Sequence, residues 1–193
     1  MSEPIPATAD PSADPREEII EHLPSLRAFA LSLTRNPSSA DDLVHDTIVK
    51  AWSKFAQYRP GTNLRAWLLT ILRNTYYSGR RKQAREVADV DGVLTERLAS
   101  KPDHDGRLAL ADLASAFARL PAEQREALIL VGAMGFSVDE AAETCGCAPG
   151  TIKSRANRGR RALADMLGLA DGEGMDLTSN ATLAVISAQA VPG

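Results

Sequence analysis

Cysteine, aromatic residues and long apolar runs are all scarce in this chain. Cys145 and Cys147 are its only cysteines, and with no third thiol or nearby histidine they cannot supply the four ligands that zinc requires. We expect them to be small packing residues, with a redox pair as the alternative. No apolar run reaches the ~18 residues of a membrane span, and the acidic, proline-rich start lacks the pattern of a targeting peptide. These absences predict a cytoplasmic protein with no metal, cofactor or membrane partner.

The chain also lacks the motifs of common enzyme active sites. It contains no P-loop, no cluster of metal ligands and no recognisable nucleophile–base pair. Aromatic residues make up only 5% of its 193 residues, whereas alanine and leucine are abundant, which favours helix over sheet. We therefore expect an all-α protein that is not an enzyme.

The net charge of -3 conceals a very uneven distribution of charge. Residues 47–85 contain nine basic residues and no acidic one, and residues 144–164 contain five and none, which together make 14 of the 22 basic residues. The acidic residues are concentrated in roughly the first twenty residues, in 36–46 and in 86–105. Two basic segments separated by an acidic one predict two DNA-facing modules joined by a linker.

Residues 137–163 predict two short helices that meet at a tight turn. Ser137 and Glu140 form a capping box, in which each side chain satisfies a free amide at the start of the first helix. Gly146 suits the left-handed end of that helix, and Pro149 suits the first turn of the next one. The segment therefore has the local signals of a helix-turn-helix.

The second helix of this segment has an apolar side and a basic side. Its apolar residues recur at helical spacing and are expected to face inward: Ile152, Ala156, Leu163 and Leu167. Ser154, Arg158 and Arg161 follow an i, i+4, i+7 line on the opposite side. A one-sided basic helix of this kind is typical of one that enters the major groove of DNA. Ala148 departs from the pattern, since a better cap such as serine is expected before this helix.

Apolar stripes predict further helices on both sides of the acidic stretch. The first begins near Arg16 and has Pro24 as a kink or break, and the second is capped by Ser39. A third spans 64–85, and two more span 107–120 and 121–135. The residues expected to be buried in the second and third helices are Val44, Ile48, Ala51, Trp52 and Phe55, and Leu64, Trp67, Leu68, Ile71 and Leu72. Tyr76 and Tyr77 fit either the core or the stacking of an unpaired base.

Four segments, in this order and separation, carry a family resemblance: DDLVHDTIVKAW, NLRAWLLTILRNTYYSGRRK, LPAEQREALILVGAMGFSVDEAAE and GTIKSRANRGRRAL. They resemble the extracytoplasmic-function (ECF, group IV) sigma factors of bacterial RNA polymerase. The sequences of the last two segments are most similar to the alphaproteobacterial general stress response subgroup, EcfG. The resemblance implies two small helical domains, sigma-2 and sigma-4. The expected divisions are a disordered start at 1–15, sigma-2 at 16–86, a flexible linker at 87–106, sigma-4 at 107–169 and a mobile tail at 170–193.

The resemblance also implies roles for the exposed residues. The helix at 39–57 would dock on the β′ clamp helices of core RNA polymerase, through Asp42, His45, Asp46, Val49 and Lys50. Segment 58–82 would recognise and help melt the minus-ten promoter element, through Asn63, Arg73, Asn74, Tyr76, Arg80 and Arg81. Segment 137–163 would read the minus-thirty-five element, through Thr151, Lys153, Ser154, Asn157, Arg158 and Arg161. The implied partners are core polymerase (β′ clamp helices and β flap), promoter DNA and a small soluble anti-sigma protein of the NepR kind.

Alternative functions remain open at this point. A stand-alone helix-turn-helix repressor would account for 137–163 but would leave the second basic module without a role. A sigma mimic that sequesters an anti-sigma protein would have no need of two basic DNA-reading faces. For regulation, direct redox control through Cys145 and Cys147 is the alternative to an anti-sigma protein.

Overall fold

The computed structural model describes residues 15–88 and 105–168, and within these ranges the chain is helical with short turns. The helices are α1 Pro15–Thr34, α2 Pro37–Ser53, α3 Leu64–Ala88, α4 Asp105–Arg119, α5 Ala122–Leu128, α6 Val138–Cys145 and α7 Pro149–Leu167. A 3-10 turn, Phe55–Gln57, follows α2, and a π-helical turn, Ile129–Ala133, follows α5. Three segments lie outside the described residues: the start before Pro15, residues 89–104 of the predicted flexible linker, and the tail after Gly168.

Helices α1, α2 and α3 pack against one another and form the amino-terminal unit. Its core contains Leu26, Phe29, Leu68 and Leu72, all fully buried. Pro24 lies inside α1, which continues unbroken on both sides, so the predicted break between two helices does not occur.

Helix α2 differs from the sequence prediction at its start and along its buried face. Its cap is Asn36 and not Ser39: the Asn36 side chain accepts a 2.9 Å hydrogen bond from the Ser39 amide. Pro37 occupies the first turn, where its missing N–H is not needed. The helix therefore begins three residues earlier than a cap at Ser39 predicts.

The buried line of α2 consists of Ala40, Leu43, Thr47 and Ala51. These mostly small residues allow close packing, and the Thr47 hydroxyl is satisfied by a 2.7 Å bond to the Leu43 carbonyl. Trp52 was predicted to be buried but is 59% exposed, so that prediction is wrong. The stripe was predicted from the spacing of apolar residues, whereas the close approach of the helices selects a neighbouring line of mostly small side chains.

An aromatic cluster fixes the loop between α2 and α3. The rings of Phe55, Tyr58 and Trp67 lie with centroids 5.3–6.1 Å apart, within the range of favourable aromatic packing. The Tyr58 hydroxyl donates a 2.7 Å hydrogen bond to the Thr62 carbonyl. Trp67 is half-buried and packs against the core, as expected. The start of α3 is thereby held beside the end of α2.

Helices α4 to α7 form the carboxy-terminal unit, in which α4, α5 and α6 all contact α7. The Ser137–Glu140 capping box is present, and Gly146 ends α6 with a φ of +62°, as the sequence predicts. Gly159 is buried on α7 and faces α5: a Cβ there would lie 2.8 Å from Leu128 Cδ1. The close contact between α5 and α7 therefore requires glycine at this position.

Gly159→Ala should destabilise the carboxy-terminal unit by about 1–3 kcal/mol, because buried Leu128 would have to move. The control is Gly150→Ala in the same helix, where a Cβ meets nothing within 4 Å and stability should be unchanged or slightly raised. Denaturant unfolding followed by circular dichroism measures both variants. Equal stabilities would contradict the close contact.

Candidate nucleic-acid interface

Helix α7 presents a polar, basic face to solvent. Lys153, Ser154, Asn157, Arg158 and Arg161 are exposed, whereas Thr151 is only partly exposed. The inward residues Ile152, Ala156 and Leu163 are buried as predicted, and Leu167 is half-buried. The two sides that the sequence predicts for this helix are therefore present.

The exposed face of α7 is partly preorganised by its own side chains. Arg158 donates from Nη2 to Ser154 Oγ at 2.9 Å and from Nε to the Ser154 carbonyl at 3.3 Å. Arg160 Nη1 donates to Asn157 Oδ1 at 3.3 Å. These bonds hold two guanidinium groups close to the helix surface. Within the exposed line, Ser154 and Arg158 are thus already bonded to each other.

The start of α7 has no side-chain cap, but an ion pair links this part of the helix to α5. Ala148 occupies the cap position with an extended backbone and makes no side-chain hydrogen bond. Arg155, which is mostly buried, pairs instead with Glu123 of α5 at 3.1 Å. This ion pair adds a polar contact between α5 and α7 beside the buried apolar side of α7.

Helix α2 carries an exposed face of mixed character. All five predicted polymerase-binding residues are exposed: Asp42, His45, Asp46, Val49 and Lys50. Val49 is 56% exposed, and Trp52, one turn further on, extends the apolar part of the same surface. Trp52 was missed as a surface residue because it continues the apolar stripe that was assigned to the core. Two large apolar side chains are thus exposed within one turn of each other on a face that is otherwise polar.

The six residues predicted for the minus-ten element do not share one environment. Asn74, Arg80 and Arg81 are exposed along α3. Tyr76 is half-buried, and its hydroxyl donates a 2.9 Å hydrogen bond to the Leu33 carbonyl of α1.

The other two residues, Asn63 and Arg73, contact the carboxy-terminal unit. Asn63 Nδ2 donates to Glu140 Oε1 at 2.9 Å, and Arg73 Nε pairs with Glu126 Oε2 at 3.3 Å. The predicted set is therefore divided between solvent, the amino-terminal core and the contact between the two units.

Comparisons with known proteins identify the two units. The family model Sigma-70 region 2 matches residues 19–86, and the family model Sigma-70, region 4 matches residues 110–163. The sequence is 51% identical over 152 residues to the ECF RNA polymerase sigma factor EcfG of Rhodopseudomonas palustris (strain TIE-1), covering 79% of this chain and 84% of that protein. The chain belongs to the ECF RNA polymerase sigma factors. It is a regulatory subunit that directs promoter-specific transcription initiation, and not an enzyme.

Solved structures of sigma factors share the fold. The sigma factor RpoE of Bartonella quintana, in complex with the anti-sigma factor NepR, matches with a TM-score of 0.72 and 51% identity, over 81% of this chain and 98% of that one. CnrH, in complex with the cytosolic domain of CnrY, matches with a TM-score of 0.58 and 28% identity, over 83% and 93%. The amino-terminal unit of this sigma factor corresponds to region 2 and the carboxy-terminal unit to region 4.

The two cysteines of this sigma factor differ in their surroundings. Cys145 is buried at the end of α6, whereas Cys147 is partly exposed in the turn before α7. Burial, with a smaller effect from Glu126, raises the pKa of the Cys145 thiol to about 12. Because the thiolate is the reactive form, the burial of Cys145 and its raised pKa both disfavour its reaction at neutral pH. The expectation that Cys145 is a packing residue agrees with its burial.

Within residues 15–88 and 105–168, no helix is long and apolar enough to cross a membrane.

A thiol reagent such as 5,5′-dithiobis(2-nitrobenzoic acid) should modify one cysteine of the folded sigma factor readily and the other only after unfolding. Cys147→Ser should remove the fast reaction, because the buried Cys145 remains a neutral thiol. Absorbance at neutral pH, with and without denaturant, measures both classes. Equal rates for the two thiols in the native protein would favour the redox alternative.

Proposed function

We propose that this sigma factor serves the general stress response, binds core polymerase through the exposed face of α2, and reads promoters through α3 and α7. The observation that carries this proposal is the exposed line of Ser154, Arg158 and Arg161 on a helix whose opposite side buries Ile152, Ala156 and Leu163. The 51% identity to an EcfG protein supports the stress-response assignment.

On the minus-thirty-five element, α7 would lie in the major groove. Arginine is suited to bidentate contact with guanine O6 and N7, and Arg158 stands at the centre of the exposed line. Lys153 and Arg161 are suited to base edges or phosphates nearby, with Thr151 and Asn157 as neutral donors at the margins. The ion pair of Arg155 with Glu123 keeps the helix in place on region 4.

On the minus-ten element, the exposed Asn74, Arg80 and Arg81 of α3 are available for phosphates and for unpaired bases. The stacking role of Tyr76 stays a prediction. To stack on a base, the side chain would first have to break its hydrogen bond to the Leu33 carbonyl. Asn63 and Arg73 are assigned to the same element, but they can reach it only after region 4 has moved away from them.

The docking surface for core polymerase is assigned to Asp42, His45, Asp46, Val49 and Lys50, extended by Trp52. The β′ clamp helices are the proposed partner of this surface, and the β flap is the proposed partner of region 4. Exposed aromatic and apolar side chains within a polar surface are suited to form the centre of a protein interface.

We also propose regulation by a small soluble anti-sigma protein of the NepR kind, with no membrane-bound partner. The support is the RpoE relative, which is 51% identical and was solved with NepR bound. A sigma mimic or a stand-alone repressor is less well supported, because a mimic needs no exposed basic α7 and a repressor needs no docking surface on α2.

Adding this protein to core polymerase should produce initiation at its own promoters, and Arg158→Ala should weaken binding to them by about 1–3 kcal/mol. The physical reason is the loss of bidentate contact with one base. Run-off transcription on genomic fragments that the wild-type holoenzyme selects, followed by titration on substituted minus-thirty-five elements, measures both effects. Preference at a single base should relax.

Arg160→Ala is the matched control, because Arg160 is exposed on the flank of the same helix and bonds to Asn157. It should weaken binding evenly across sequences and make the salt dependence shallower. If Arg158→Ala also acts evenly, Arg158 is a phosphate contact. If wild-type protein gives no promoter-specific transcript with core polymerase, the proposed function is wrong.

Asp46→Ala combined with Val49→Ala should reduce affinity for core polymerase, because it removes a charge and an apolar contact from the docking surface. Both side chains are exposed, so the circular dichroism spectrum should be unchanged. The control is Ile20→Ala with Glu21→Ala, an equally exposed apolar and acidic pair on α1. Fluorescence anisotropy with labelled core measures affinity. Equal affinity of both double variants would contradict the placement on α2.

A further inference from the structure

A groove lies on one flank of region 4, between α7 and the segments that precede it. Its floor is formed by apolar side chains: Val131 of the π-helical turn, Val138 at the start of α6, and Ile152 and Ala156 of α7. Single π-helical turns occur often at functional sites. Val131 and Val138 are partly exposed, and a volume of about 290 Å³ remains above the floor. The groove therefore has room for a short apolar ligand.

The rim of the groove on α7 is polar and basic. It consists of Lys153, Asn157 and Arg160, all exposed, and none of the residues that line the groove is acidic. Arg160 donates to Asn157 at 3.3 Å, a long hydrogen bond compared with the charge-assisted bond that a carboxylate would accept. Helical periodicity places the rim about a quarter turn from the exposed line that contains Arg158. A ligand in the groove therefore leaves that line uncovered.

The chain that follows α7 has a composition complementary to the groove. Residues 169–193 contain three acidic residues, Asp171, Glu173 and Asp176, and no basic one. Met175 and Leu177 directly flank the last of these acids. Acidic and apolar side chains in one short segment match the basic rim and the apolar floor together, which is the complementarity expected of an interface.

The distances along the chain also match. Gly168 ends α7 in the left-handed conformation, with a φ of +66°, so the chain leaves the helical path there. The helical rise places Arg160 and Lys153 about 12 and about 23 Å back along α7 from Gly168. An extended chain spans at most about 11 Å from Gly168 to Asp171 and about 29 Å to Asp176. A tail that runs back along α7 therefore brings its acids to the rim.

We propose that residues 171–177 bind back into this groove. The acids pair with Lys153 and Arg160 on the rim. Met175 and Leu177 lie on the apolar floor. Exposed ion pairs and one small apolar contact are weak, but a short tether gives the tail an effective concentration in the millimolar range. An intramolecular contact of this size is therefore enough to keep the groove occupied.

Neutralising the acids of the tail should change the surroundings of the groove floor. The full chain is prepared with Asp171→Asn, Glu173→Gln and Asp176→Asn combined, and the methyl signals of Val131 and Val138 are followed by NMR spectroscopy. Both signals should shift, because the apolar side chains of the tail leave the floor. About 1 M salt should shift the wild-type signals in the same direction, since the Debye length falls to about 3 Å.

The reciprocal change is made on the rim of the groove. Lys153→Gln combined with Arg160→Gln should shift the backbone amide signals of Asp171 and Leu177, which are remote from both substitutions in the sequence. The physical reason is the loss of both cationic partners of the tail. The methyl signals of Leu128, which is buried in region 4, should stay in place if the unit remains folded.

Two control variants match these changes in charge. Glu3→Gln, Asp10→Asn and Asp14→Asn together remove the same number of acids at the other end of the chain. Arg81→Gln with Arg85→Gln removes two exposed basic residues of α3. The first control should leave the groove methyl signals unchanged, and the second should leave the tail amide signals unchanged.

The inference is wrong if neutralising the tail leaves the Val131 and Val138 signals at their wild-type positions. It is also wrong if the tail amides respond equally to the substitutions on α3. Groove signals that change only with protein concentration would assign the groove to a second copy of the chain. Groove signals that change only when core polymerase is added would assign it to polymerase. Either of these results overturns the tail as the occupant.

Discussion

The structure depends on α3 being used on two faces. One face buries Leu64, Leu68 and Leu72 in region 2, and the other carries Arg65 and Arg73, which contact region 4. A helix of 25 residues is long enough for different turns to serve different partners. Its first turns hold both units, while its last turns extend basic side chains into solvent. Any movement of region 4 therefore changes which part of α3 is accessible.

The two basic segments of the chain differ in whether acidic side chains of the same chain contact them. The basic segment 47–85 meets carboxylates of α5 and α6 across the contact, through Arg73 with Glu126 and Asn63 with Glu140. Among residues 15–88 and 105–168, no carboxylate is seen to cover the exposed face of α7, and the ion pair of Arg155 with Glu123 lies on the inner side. The net charge of -3 therefore hides two different basic surfaces. The one on α3 is partly neutralised by carboxylates of the same chain, and the one on α7 faces solvent.

Helix α2 illustrates where pattern reasoning is limited. The apolar stripe correctly predicted a helix, but it placed Trp52 in the core and gave no special weight to Ala40 and Thr47. Helices that approach closely select small residues, and a threonine can be buried when its hydroxyl bonds to its own backbone. The surface position of Trp52 then extends a face on which all five predicted polymerase-binding residues are exposed.

The sequence by itself determined the features that depend on neighbours within one or two turns. These are the capping box at Ser137, the left-handed end at Gly146, the two sides of α7 and the core stripe of α3, because caps and helical periodicity are local. Only the tertiary structure decided that Arg73 meets Glu126 and that Tyr76 turns toward Leu33. Those partners are 53 and 43 residues apart, and no local pattern tells an arginine that binds a phosphate from one that binds a buried carboxylate.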